Sequence, residues 1–164
     1  MKPTKVDIND YQKIVELYHN ESDRAAAILA GSFVENYLVE YLKTCFLIAD
    51  PEIDELFQGF GPMATFSQRI AIAYAVGAFH KSMRDNLRAI KEIRNHFAHH
   101  PGDAKFDDAV IDKHFKKLSF GNDRQICQTG DIPLTDRRRI YLLSIAWFTL
   151  MASKRLKQFA SEHK

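Results

Sequence analysis

From Ser22 the chain runs through SDRAAAILAGSFVENYLVEYLKTCFLIAD without a proline until Pro51. Apolar residues recur along this stretch every three or four positions, the spacing that puts them on one face of a helix. Ser22 is a good N-cap with acidic Asp23 behind it, so the stretch predicts a helix of about seven turns at 3.6 residues each. A second long run, RRRIYLLSIAWFTLMASKRLKQFA, follows the capping pair Thr135-Asp136 and has an apolar middle with basic ends. Nothing in the sequence alternates with period two over a useful length. The expected fold is therefore all-α: a single-domain helical bundle over residues 1–164, with two long helices and several shorter ones.

The shorter elements are marked by their breakers. Ile8 to Tyr18 has helical spacing. Pro51 opens a short acidic helix, PEIDELF, that ends in Gly59-Phe60-Gly61-Pro62. Thr65 or Ser67 can cap FSQRIAIAYAVGAF, and a further helix from Met83 to about His99 is closed by His100-Pro101-Gly102. Asp107 to Leu118 reads as a shorter amphipathic helix, and SFGNDRQICQTGDIPLT as a polar, turn-rich segment.

With 46% hydrophobic and 27% charged residues, the 164-residue chain has the composition of a packed domain rather than of a disordered one. No apolar run reaches the roughly 20 residues that span a bilayer, and the N-terminus lacks a secretory core, so a cytoplasmic location without membrane contact is expected. Cys45 and Cys127 have no CxxC spacing and are expected to be free thiols. Charge is uneven: residues 1–104 carry 11 Lys/Arg against 14 Asp/Glu, and residues 105–164 carry 12 against 7. The formal total of +2 is small for a reader of duplex DNA, whose affinity rests largely on phosphate neutralisation.

Two charges fall on apolar stripes. At about 100° per residue, Arg94 lies between Leu87, Ile90 and Phe97, and Glu35 lies among Ile28, Gly31, Leu38, Leu42 and Phe46. Buried charges are costly unless paired, so Arg94 and Glu35 are expected to meet. Arg24 and Arg69 raise the same issue, and the four residues form an expected buried polar network. Asn95 and His99, four apart, share a flank of the same helix as Arg94.

Other groupings are weaker. His96 and His100 are four apart and could share a metal ion, yet no carboxylate or cysteine has obvious ligand spacing; neither a metal nor a cofactor is expected. Arg137, Arg138, Arg139, Lys154 and Arg155 are candidate nucleic-acid contacts, weighed against an ordinary solvated basic face. The run Ile140 to Met151 is apolar nearly all round, which favours core packing, with a homodimer interface as second reading. Phe57, Phe60 and Met63 could form an exposed patch for a partner.

Three blocks, ESDRAAAILAGSFVENYLVEYLK, ATFSQRIAIAYAVGAF and LRAIKEIRNHFAHH, in that order, resemble the mannitol operon repressor (MtlR-like) family over roughly Glu21 to His99. The resemblance implies an all-helical bacterial transcriptional regulator that is called a repressor yet has no recognised DNA-reading motif. This sequence likewise has no helix-turn-helix signature, zinc-finger spacing or basic region with heptads. A protein partner or RNA is then as credible a target as operator DNA.

More distantly, Arg94-Asn95-(three residues)-His99 resembles the pattern of HEPN domains, helical bundles that include metal-independent ribonucleases. By that resemblance the bundle is HEPN-like, His99 would handle the proton of a ribose hydroxyl, Arg94 would steady phosphate charge and Asn95 would orient the histidine. Such sites generally form where two copies face one another. The preferred expectation is a non-enzymatic regulator in which RNHFAHH is chiefly structural, with the ribonuclease as the alternative.

Overall fold

The computed structural model describes residues 16–18, 20–46, 51–118 and 136–162. Within them the chain forms α1 (Asp23–Lys43), α2 (Phe66–Ala75), α3 (Lys81–His99), the single turn α4 (Asp112–Phe115) and α5 (Arg137–Glu162), with 3-10 turns at Pro51–Phe57 and Ala109–Ile111. No strand occurs among the described residues. Residues 16–18 are helical, while most of the expected Ile8–Tyr18 helix, the segment 119–135 with Cys127, and Thr135 lie outside the described residues.

Helix ends follow from local chemistry. Ser22 Oγ accepts from the Ala25 amide at 3.1 Å and starts α1. The helix stops at Lys43, short of the expected run to Pro51. There the Thr44 hydroxyl donates back to Tyr41 O at 2.7 Å, and the Cys45 amide donates to Leu42 O at 2.9 Å, a tighter i→i−3 bond. Cys45 is thus a half-buried free thiol just beyond the helix.

Thr65, not Ser67, caps α2, with Gln68 completing a capping box. The expected helix through Phe79 ends instead at Ala75. Gly77 takes φ 72°, its amide donates to Tyr74 O at 3.1 Å, and the Ala78 amide donates to Ala73 O at 2.9 Å. Those two bonds form a Schellman stop, which needs a residue at ease in the left-handed region. The helix expected over 107–118 is broken into the Ala109–Ile111 turn and α4. At the start of α5 the Asp136 carboxylate accepts from the Arg139 amide at 3.0 Å.

α1 and α5 run side by side in the same direction, joining Asp23 to Arg138, Ala27 to Tyr141 and Tyr41 to Phe148. α3 runs opposite to both and packs on each, and α2 covers one side of the α1–α3 pair. The core between them holds Leu38, Leu42, Ile70, Leu87, Ile90, Ile93, Phe97, Tyr141 and Phe148, all essentially buried. Gly31 sits at the crossing of α1, α3 and α5. A Cβ there would lie 2.9 Å from Arg94 Cβ and 2.9 Å from the Tyr141 hydroxyl, so only glycine allows this approach. Tyr141 is wholly buried and donates to Ala27 O at 2.9 Å; burial pushes its phenol well above the ordinary range.

In the apolar run of α5, Ile140, Tyr141, Leu142, Ile145, Ala146 and Phe148 are buried, Leu143 and Trp147 pack partly against the core, and Met151 is exposed. Among the described residues no helix is long and apolar enough to cross a membrane.

Candidate functional site

α3 carries two chemically different flanks. On the flank facing α1, Arg94 Nη1 donates to Glu35 Oε2 at 2.6 Å, and Glu35 Oε1 lies 3.5 Å from Arg69 Nη1. The three side chains are 21%, 19% and 10% exposed in that order, so one carboxylate is shared between two largely desolvated guanidiniums. Arg94 also lies over the Phe66 ring at 5.6 Å, and its buried Nε has no hydrogen-bond partner.

Arg69 is tied further. Its Nε donates to Met63 O at 2.9 Å and its Nη2 to Phe57 O at 3.2 Å and Ala64 O at 3.0 Å. Burial pulls the Arg69 guanidinium below its usual value, and the Glu35 charge offsets part of that. Arg24 stands apart from this group: its Nη1 donates to Pro101 O at 2.8 Å, tying the start of α1 to the end of α3. The expected network of four is therefore a network of three, because Arg24 lies too early along α1 to reach Glu35.

The other flank opens on a cleft of about 230 Å³ lined by Glu92, Asn95, His96, His99, His100, Val110, Ile111, Lys113 and His114. His99 is exposed and Asn95 half-buried at this wall. His96 Nε2 donates to Asp108 Oδ2 at 2.8 Å, and His100 Nδ1 donates to His96 O at 2.9 Å. The Lys105 amide, with His96 second, holds the Asp108 carboxyl below its usual range. Across the cleft, burial lowers the His114 imidazole, partly offset by Glu92 and reinforced by Lys113. Lys91, bonded to Glu92 at 2.7 Å, holds that carboxyl low.

Among the described residues no three His, Cys, Asp or Glu side chains converge closely enough to hold a metal ion. Sequence spacing missed Asp108 and His114. Asp108 lies twelve residues beyond His96, across the Pro101-Gly102 break, where helical spacing carries no information.

The basic candidates separate by position. Arg137 Nη1 meets Asp112 Oδ1 at 2.5 Å and stands over the Phe115 ring at 5.3 Å. Arg138 bonds Asp23 Oδ1 at 3.1 Å and the carbonyls of Tyr18 and Glu21 at 2.6 Å each. These two tie α5 to its neighbours. Arg139, Lys154 and Arg155 are exposed, about 22 Å apart from first to second at 1.5 Å per residue. The expected exposed trio of Phe57, Phe60 and Met63 also divides: Phe57 and Met63 are buried beside Arg69, and only Phe60 faces solvent.

A helical bundle braced by a shared carboxylate, with a histidine-lined cleft on its outer flank, defines the class as an all-α bundle. The chain belongs to the mannitol repressor family, whose model matches residues 24–159. A similar fold occurs in a possible transcriptional regulator, YggD, from Shigella flexneri 2a str. 2457T, at 16% identity and a TM-score of 0.59, covering 92% of this chain and 96% of that one. No curated protein matches in sequence.

Proposed function

We propose that this chain is a non-enzymatic, cytoplasmic transcriptional regulator of the mannitol repressor type, acting on its operon by docking to another macromolecule, a protein in preference to a nucleic acid. The family match supports the regulatory part. The observation that carries the non-enzymatic part is the direction of Arg94. Its guanidinium is bound to Glu35 toward α1, whereas Asn95 and His99 line the cleft on the other flank. A phosphate placed beside His99 would find no help from Arg94 in the same chain. Preference for a protein rests on the small formal charge of +2 and on the basic candidates, of which Arg137 and Arg138 are paired within the fold and only Arg139, Lys154 and Arg155 are exposed.

The alternative, a metal-independent ribonuclease, draws on the exposure of His99 beside Asn95 in the cleft. Purified wild type and His99→Ala, incubated with mixed single-stranded RNA in excess chelator, separate the two. Intact RNA with both proteins is expected. Cleavage by the wild type alone would replace the scaffold reading with the nuclease. A parallel titration with labelled duplex DNA and RNA at two salt concentrations tests the partner class; tight, salt-sensitive binding would favour nucleic acid.

A further inference from the structure

The loop after the first 3-10 turn is built to hold one phenyl ring in water. Phe60 has a relative exposure of 109%, the largest of any described apolar side chain. Its turn is nevertheless firmly made. Gly59 takes φ 53°, and the Gly61 amide donates to Gln58 O at 2.8 Å. Gly61 also packs so closely on the turn before it that a Cβ would lie 2.5 Å from the carbonyl oxygens of Glu55 and Leu56.

The base of the loop is closed from inside. The Met63 amide donates to Leu56 O at 2.8 Å, and the buried Arg69 guanidinium gathers the carbonyls of Phe57, Met63 and Ala64. A side chain that needed only to be tolerated on the surface would not require such a frame. A stiff turn that presents an aromatic ring loses little freedom on binding, which is the property of an interface anchor.

The charge of its own segment states what the ring fits. The segment from Pro51 to Pro62 carries three carboxylates, Glu52, Asp54 and Glu55, and no Lys or Arg. All three are exposed, with Asp54 bonded to Lys43 at 2.6 Å. We propose that the Phe60 turn is a docking knob for a protein partner whose surface offers an apolar pocket rimmed by Lys and Arg side chains. The acidic rim steers and orients that partner while the ring fills the pocket. This assigns a surface to the protein-docking reading above and rests on it.

The full chain carrying the photocrosslinker p-benzoylphenylalanine in place of Phe60, Val110 or Met151, one position at a time, is irradiated in cells that contain it natively, and the crosslinked residue is mapped by mass spectrometry. The expected product joins position 60 to an apolar residue flanked by Lys or Arg on one partner. With that partner purified, Phe60→Ala and Glu55→Lys each weaken binding about tenfold, and the thermal midpoint of Phe60→Ala is unchanged. A position-60 crosslink to a second copy of this chain overturns the proposal, as does one to a surface without basic residues or binding unaffected by Glu55→Lys. Capture through position 110 or 151 alone removes the knob but leaves the docking reading intact. Capture at none of the three counts against both.

Discussion

Arg94 on α3 and Glu35 on α1 are joined Nη1 to Oε2 at 2.6 Å, and the second oxygen of the same carboxylate faces Arg69 on α2 at 3.5 Å. One acidic side chain thereby connects three helices. Removing it leaves two guanidiniums without their shared carboxylate in a largely desolvated site. Glu35→Ala is expected to cost about 3 kcal/mol, the lower end for a broken buried pair because each partner keeps some water contact. Urea unfolding measures this, and a double-mutant cycle with Arg94→Met isolates the pair. A loss below about 0.5 kcal/mol, the usual scale of surface substitutions, would show the pair to be idle.

Gly31→Ala tests the close crossing. Alanine favours a helix interior by about 1 kcal/mol over glycine. Here its methyl would sit 2.9 Å from Arg94 Cβ, an atom fixed to the α3 backbone. Net destabilisation of about 1–3 kcal/mol is expected, the cost of overpacking. A raised melting temperature would mean that α1 and α3 can part without loss.

Acid should act through Asp108. Its carboxyl is held low in the folded chain, so its contribution is full above the unfolded value of about 3.9 and is lost as pH falls through the lower folded value. Asp108→Asn is expected to be less stable than wild type at pH 6, with the gap closing in stronger acid. Urea midpoints across that range report it; a gap independent of pH would contradict the assignment.

His114 acts in the same direction at milder pH, although here it is the charged form that the fold disfavours. Its folded value is depressed, so stability is full above the unfolded value near 6.5 and falls as pH drops through the folded one. Replacing it with Gln should remove that part of the loss between about pH 7 and 5. Thermal melts of both proteins across this interval suffice, and equal pH slopes would rule the imidazole out.

Two neighbouring arginines at the head of α5 should respond differently. Arg138→Ala breaks bonds to Asp23, Tyr18 and Glu21 and is expected to cost about 2 kcal/mol, the scale of charged hydrogen bonds. Arg139→Ala, at an exposed position, should stay within about 0.5 kcal/mol. Chemical denaturation of the pair compares them directly, and equal losses would refute the contact assignment.

Helix starts are legible where a polar cap marks them, whereas α3 begins at Lys81, two residues before the expected Met83, because His80 makes no side-chain cap bond. Ser22 and Thr65 stand at cap positions because a short polar side chain before an apolar run has one obvious use. The end of α1 depends on a threonine hydroxyl choosing the backbone behind it, which composition does not announce. Gly77 did carry a signal for the end of α2, but an isolated glycine in a helical pattern is usually tolerated. The stripe positions of Arg94 and Glu35 followed from spacing alone. The second arginine on Glu35, the departure of Arg24 to Pro101 and the bond between His96 and Asp108 each depend on how loops and separate helices return, which periodicity within one element does not encode.

Because α1 and α5 lie side by side, the first long helix finds its main neighbour more than a hundred residues later, as Ala27 with Tyr141 and Asp23 with Arg138 illustrate. On the ribosome, α2 and α3 can pack on α1 early, but the face of α1 turned to α5 stays uncovered until the residues from Arg137 onward have been made. A product that stops before α5 would leave that face open to chaperones and proteases.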